Sequence, residues 1–406
     1  MKSEKYIVEF LMFAVYLVFG ASWSTTGAVG AQIMQDYGVG VSESAMMTNA
    51  ILWAKILGAL GIAVVTYKLG IKRSYLLALL LVGTAVLVPF TDNFYTLVLI
   101  RFLNGLGGAM CLVSMVPVVA HYFDAKTGAK LNSINGIPNV IGSAIVLMFA
   151  APLIEFAGGW KTLLASYGWI TLAFAVAWVV FFKDFKQEKG QEPTPEEKRA
   201  EIKTVVKSRV VWSMIIQYVG GLLMLLVPFT YLPTYYAEYA NLPADSIAYL
   251  APSINQIGIV VGAALSIWLK GKGVQYKKLF AVTSVIMAVT TYMMFFGSNE
   301  YIIVAGAFGA GMMLSSWFSF IFSLPRELLK NPSTNTIMFA MSTFWLASYI
   351  LATVNTQIVG YLVDMTGSFV SAFYYVLVIL VVCPILAQMM FPKSKAEKPL
   401  VASEAV

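Results

Sequence analysis

Side chains able to carry charge, move protons or bind metals are scarce in this 406-residue chain, and one of them sits in an unusual place. A single histidine, His121, and two cysteines, Cys111 and Cys383, are too few for a built metal site or a disulfide framework. There is no H-E-x-x-H, no paired acid and no nucleophile with a base in prospect, so neither an enzyme nor a bound cofactor is expected. The exception is Lys55, eleven residues from either end of the apolar run 44–66. At about 1.5 Å per helical residue that places its charge roughly 16 Å from both ends.

The elements that must position Lys55 follow from composition. Hydrophobic residues make up 59% of the chain and charged residues 12%, against about 25% in ordinary soluble domains, which excludes a water-soluble protein. Runs of about 20 apolar residues read as membrane-crossing helices. Twelve are expected, at 8–34, 44–66, 74–90, 95–120, 132–154, 162–182, 210–232, 246–269, 279–297, 301–324, 336–362 and 371–391. Continuously apolar stretches such as Leu76–Val88 lack the alternation of barrel strands. Trp23 to Thr26 interrupt the first span with polar groups, so it is expected to stay rather than be cleaved as a signal.

The net charge of +7 would suggest nucleic acid in a soluble protein, but here the basic residues lie in short loops and no nucleic-acid partner is expected. With both termini cytoplasmic, only Lys55, Arg101 and Lys161 of 27 basic residues fall off the cytoplasmic side, whereas Asp36, Glu43, Asp92, Glu155, Glu238, Asp245, Glu300 and Asp364 fall opposite. The positive-inside rule therefore expects a multi-pass inner-membrane protein with both termini inside, its surroundings the lipid bilayer.

The one long polar stretch, 183–209, with Pro193 and Pro195, divides the chain into an all-α bundle of six spans (1–182) and a second of six (210–392), with a tail from 393 to 406. It reads as a solvated cytoplasmic connector with a short helix from Glu196 onward. The halves look duplicated. Gly70 after the second span matches Gly273 after the eighth, and Gly105 and Gly107 match Gly309 and Gly311 at an offset of 204. Duplicated six-helix units with small residues at close helix contacts are a transporter signature.

These residues resemble the major facilitator superfamily, twelve-helix secondary transporters made of two pseudo-symmetric six-helix bundles. Arg101-Phe-Leu-Asn-Gly105-Leu-Gly107-Gly108 is similar to the family's R-x-x-x-G-x-G pattern. The loop Tyr67-Lys68-Leu69-Gly70-Ile71-Lys72-Arg73 keeps the family's glycine and basic residues but has Tyr67 where an acid is usual, so charge-relay gating through that acid is not implied. Gly158-Gly159-Trp160-Lys161, Tyr231-Leu232-Pro233-Thr234-Tyr235 and Gly360-x-x-x-Asp364-x-Thr366-Gly367-Ser368 resemble organic-anion and cyanate-type members. Gly136-Ile137-Pro138-Asn139-Val140-Ile141-Gly142 departs from the G-P-x-x-G-G of drug/proton antiporters. The resemblance implies a central substrate site, a gating or structural role for Gly70, Lys72, Arg73, Gly105 and Gly107, and alternating access.

A lysine at the bilayer centre costs at least about 2.5–3.5 kcal/mol on insertion scales, and intramembrane charges are paired. No acid lies at its depth; Glu9, the one acid inside a span, is near the start of the first. Three readings stay open: an anionic substrate supplies the partner, water and neighbouring carbonyls do, or Lys55 carries a proton. Adding the repeat offset leads to Gly258, near Asn255 and Gln256, so the two-cation clamp of nitrate and nitrite members is missing. The expected site comprises Lys55, Arg101, Asn49, Trp23, Asn139, Gln217, Asn255, Gln256, Trp317, Trp345 and Tyr349. Arg101 is read as structural or coupling first and substrate-touching second. The expectation is a monomeric carrier of a small organic monoanion, by proton symport or anion exchange. An exporter of amphipathic drugs and a non-transporting membrane sensor are the alternatives.

Overall fold

The computed structural model describes residues 2–124, 127–128, 131, 134–183, 195–240, 242–243, 245–329 and 334–392. Part of the expected connector (184–194), the tail 393–406 and Lys126, Lys130 and Lys330 lie outside the described residues. The elements are α1 (Lys2–Ala28), α2 (Gly30–Tyr37), α3 (Val41–Gly83) running into a 3-10 segment (Thr84–Phe90), α4 (Phe94–Tyr122), α5 (Ile137–Ala157), α6 (Trp160–Phe181), α7 (Pro195–Val206) and α8 (Arg209–Glu238). A 3-10 segment (Ile247–Leu250) then leads to α9 (Ala251–Gly271), α10 (Tyr276–Phe296), α11 (Glu300–Ser315), α12 (Phe318–Ile321), α13 (Leu324–Leu328), α14 (Thr334–Thr366) and α15 (Phe369–Met390).

Hydrocarbon offers no partner to a peptide group, so each crossing segment must satisfy its own backbone, which helices do. Among the described residues there is no strand, and eleven segments are long and apolar enough to cross a bilayer. The arm of α3 before Gly70 is helical as well, and with it each of the twelve expected spans overlaps a helix among the described residues. Large apolar side chains such as Phe90, Phe156 and Ile267 point outward, as they must against lipid. Polar caps set the loop-side starts: Asn93 Oδ1 accepts from Tyr95 N and Thr96 N at 2.8 and 3.2 Å, and Asn299 Oδ1 accepts from Ile302 N at 3.0 Å.

Two expected single spans are interrupted. The first breaks between α1 and α2 at Val29 (φ −105°, ψ 17°). The tenth breaks into α11, α12 and α13, where Ser316 Oγ and Ser323 Oγ donate to the carbonyls of Met313 and Phe320 at 2.6 and 2.9 Å and so compete with the helical ladder. The connector is more than a solvated tether. Its α7 buries Val205, and Val206 O accepts from Trp212 Nε1 at 2.8 Å.

The repeat has a backbone counterpart. Gly70 kinks α3 at φ 76°, ψ 166°, and Gly273 takes φ 70° after α9, both in the left-handed region open to glycine. The paired glycines of α4 and α11 exchange partners, however. A Cβ on Gly105 would lie 2.6 Å from Ile51 Cα in the first arm of α3, and one on Gly107 2.7 Å from Val82 N in the second arm. On α11 the order is reversed, with Gly309 against Thr290 of α10 and Gly311 against Ile259 of α9. Gly105 thus corresponds in contact to Gly311.

Gly105→Val should force α3 and α4 apart and destabilise by about 1–3 kcal/mol, the usual cost of overpacking. Gly136→Val, where an added Cβ meets nothing within 4 Å, should unfold at the wild-type temperature in detergent. Equal unfolding temperatures for the two variants would contradict the close-contact assignment.

Candidate functional site

The glycine-rich motif of α4 acts as a backing plate for the intramembrane lysine. Arg101, Gly105 and Gly108 are spaced i, i+4, i+7 and share one helix face. Arg101 is almost fully buried, donating from Nη1 to Ser22 Oγ and from Nη2 to Ser22 O, both at 3.0 Å, which fixes α1 one residue before Trp23. Gly105 admits Ile51 and Ala54 of α3, and Gly108 admits the Phe19 ring of α1. The face therefore sets the distance between Lys55 and the two aromatic rings it meets.

Lys55 is 7% exposed, with Nζ 3.7 Å from the centroid of Trp23 and 5.6 Å from that of Phe19. No hydrogen bond or carboxylate pairing to Nζ is made by the described residues. Glu9 precedes Trp23 on α1 by 14 residues, about 21 Å along the axis. A desolvated cation–π contact is worth about 2 kcal/mol, which offsets the cost of burying the charge only in part. Trp23 Nε1, on the ring that Lys55 meets, is enclosed and unbonded, as are Asn139 Nδ2 of α5 and Gln256 Nε2 of α9. Trp23 also packs edge-on against Phe229 of α8 at 5.4 Å, so this cluster touches both halves of the chain. Asn139 reaches it through its backbone contact with Gly20. Gln256 lies one helical turn from Ser253, which donates to Ala144 O of α5 at 2.8 Å.

The remaining expected residues divide. Trp345 and Tyr349 stack at 5.3 Å on α14, and Trp345 meets Tyr218 of α8 edge-on at 5.7 Å. Gln217 turns to Ser284 (3.1 Å), Asn255 to Ala307 O (3.1 Å) and Trp317 Nε1 to Thr283 Oγ1 (2.6 Å), all contacts within the second half that tie helices together. Lys72 Nζ donates to Val179 O at 3.0 Å, joining α3 to α6, while Arg73 is exposed.

Asn49 belongs to a structure that sequence reading did not assemble. We call the side of the connector the linker face and the opposite side the far face. At the far face Asp364, near the end of α14, accepts from Val41 N at 2.8 Å and Ser42 N at 3.0 Å, capping α3 from the other half of the chain. Gln357 Nε2 donates to Ser42 O (2.9 Å), Asn49 Nδ2 to Gln357 Oε1 (2.8 Å) and Thr356 Oγ1 to Asn49 Oδ1 (2.8 Å). Gly360 makes the approach possible, since a Cβ there would lie 2.7 Å from Ser42 Cα. The i, i+4 spacing of Gly360 and Asp364 was the available signal. This latch closes the two halves at the far face.

An all-helical multi-pass bundle whose duplicated units meet at a buried, unpaired cation defines a membrane carrier rather than an enzyme. The chain belongs to the Major Facilitator Superfamily, whose family model matches residues 11–353. An uncharacterised protein of Campylobacter jejuni is 33% identical over 314 residues, covering 76% of this chain and 96% of its own length. A protein of Bacillus subtilis named nitrite extrusion protein is 25% identical over 226 residues, 55% of each chain. The fold is that of a bacterial homologue of the human lysosomal transporter Spinster, at TM-score 0.75 with 13% identity over 96% of this chain and 98% of that one.

Removing the Asp364 carboxylate should loosen the far face. Hydrogen bonds to a charged group are worth about 1.5–3 kcal/mol each, so Asp364→Ala should raise far-face access at least about tenfold. The check is the labelling rate of Ala45→Cys by a membrane-impermeant thiol reagent, in a Cys111→Ser, Cys383→Ser background. An unchanged rate would mean that the latch does not hold the far face shut.

Proposed function

We propose that this secondary transporter moves a small organic monoanion across the inner membrane by alternating access, with Lys55 as the counter-charge. The linker face is then cytoplasmic and the far face external. The carrying observation is that Lys55 Nζ lies on Trp23 with no carboxylate paired to it among the described residues, and that the ring's own Nε1 is enclosed without a partner. Donors without acceptors in a water-poor site call for an acceptor-bearing ligand. One fixed cation with neutral amides suits a single negative charge, and the aromatic surfaces of Trp23, Trp345 and Tyr349 suit an organic body.

A relative named for an anion supports the charge of the cargo. Here Gly258 stands where a second cation would complete a symmetric clamp, and a Cβ on it would meet Phe308 and Met312 of α11, so that position is given to helix packing. Drive comes from proton symport or anion exchange, and the lack of an acid beside Lys55 among the described residues gives exchange equal standing. Arg101 enters as the residue that positions Trp23 through Ser22, and the carrier acts as a monomer.

Thermal unfolding in detergent with small carboxylates, matched neutral analogues and cationic drugs tests the reading. A carboxylate at about 100 times its Kd should stabilise the wild type by about 2.7 kcal/mol. The neutral analogue should do nothing, and Lys55→Gln should abolish the effect. Stabilisation by cationic drugs alone, unchanged in Lys55→Gln, would sink the anion reading in favour of drug export.

A further inference from the structure

Directly inside the Asp364 latch lies a small chamber that the anion reading does not use. Six hydroxyl side chains line it: Thr26 of α1, Ser44 and Thr48 of α3, and Thr230, Tyr231 and Thr234 of α8, of which Tyr231 donates its hydroxyl to Thr356 O. Its volume for a water-sized particle is about 10 Å³, at the lower limit for holding one. Ser44 and Thr48 are one helical turn apart, as are Thr230 and Thr234, so each pair shares a face.

Two of the Ser and Thr hydroxyls are committed as donors and left to accept. Thr26 Oγ1 spends its proton on Trp23 O at 2.8 Å, and Ser44 Oγ spends its own on Gly30 O at 3.4 Å, leaving lone pairs as what they can still offer. Thr234 Oγ1 sits against Gly30, where a Cβ would come within 2.5 Å of it. Thr230 Oγ1 is enclosed and bonded to nothing, on a residue only 7% exposed. No charged side chain lines the chamber. A cluster of neutral oxygen acceptors with room for one particle fits a hard cation of low charge, whereas a divalent ion would call for carboxylates.

We propose that this chamber is a binding site for a single small monovalent cation, sodium, held by hydroxyl oxygens from both halves of the chain. The ligands of α1 and α3 come from the first half and those of α8 from the second, so the set is complete only while the halves are together at the far face. Sodium then favours the state closed at the far face, and by reciprocity that closure raises sodium affinity. Sodium held here would be an alternative drive to the proton symport or anion exchange of the reading above, in a carrier whose central cation has no paired acid among the described residues. It needs the chain to be a secondary transporter but not that the cargo is an anion.

The test is thermal unfolding of the purified full-length protein in NaCl, KCl or choline chloride at equal ionic strength. Sodium should raise the midpoint above potassium and choline. In Thr230→Val and in Thr48→Val the sodium concentration for half the effect should rise at least tenfold, while Thr230→Ser, which keeps the oxygen, and Thr96→Val, exposed at the start of α4, should respond as wild type. Lys55→Gln should keep the sodium response while losing the carboxylate response, so the two readings fail separately. Identical midpoints in the three salts would overturn the proposal and leave the chamber to water. So would a sodium response that survives in the Thr230→Val, Thr48→Val double variant. If Thr230→Val does not fold, Thr48→Val and the three-salt comparison on wild type decide the matter.

Discussion

A positive charge held in the middle of an apolar slab needs a geometry fixed more tightly than hydrophobic packing alone provides, and much of the first half of this protein is organised around that need. Lys55 rests on Trp23, and the contact survives only if α1 and α3 keep their separation. Three positions on one face of α4 set it: Arg101 grips Ser22, Gly105 admits Ile51, and Gly108 admits Phe19. Glycine is required there because lipid gives helices no hydrophobic reason to associate, so close approach must do it. The motif that marks the family is, in this chain, the support of its central cation.

The contacts between the halves add a polar element. Glycines press backbone against backbone within each half and also between them, Gly27 against Phe229 and Gly360 against Ser42. At the far face the halves meet through the Asp364 cap and the Asn49, Thr356 and Gln357 chain, each bond directional and short in reach. A net hydrogen bond is worth about 1 kcal/mol, so a handful can hold one state while leaving the equilibrium within the few kcal/mol that a bound ligand can shift. A seal of interlocked aliphatic side chains would resist such a shift. A far-face seal in which hydrogen bonds take a large share suits a carrier that must open there.

The spans were legible because an apolar run of about 20 residues has one good solution in a bilayer, and each of the twelve overlaps a helix among the described residues. Lys55 was legible for the same reason, as a charge where charge is costly. The breaks at Val29 and Ser316 were not, because hydroxyl back-bonding competes with the helix only where tertiary partners such as Thr283 hold Trp317 in place. Amides misled most. Asn49, Gln217 and Asn255 look alike in sequence as polar residues in spans, yet one joins the latch and two tie helices inside the second half. An amide bonds equally well to a substrate or a helix, so its role is decided by which face its neighbours occupy.

The duplication is broken where the charge lies, and that asymmetry has a mechanical consequence. The first half carries Lys55, while at the repeat-related position the second half has Gly258, packed on α11. What the second half presents to the cluster is aromatic, Phe229 against Trp23, with Trp345 and Tyr349 on α14. In the anion reading proposed above, a ligand bound through its charge would be anchored to the first half and only leaned upon by the second. Rocking the halves would then replace the apolar wall around the ligand without breaking its ion pair. At the ligand the cost of opening would be kept to aromatic contacts, each worth about 0.5–1.5 kcal/mol beyond the area buried, with the hydrogen bonds of the latch added at the far face. A symmetric pair of cations would tie both halves to the same charge and oppose the motion; a single cation leaves one half free to move.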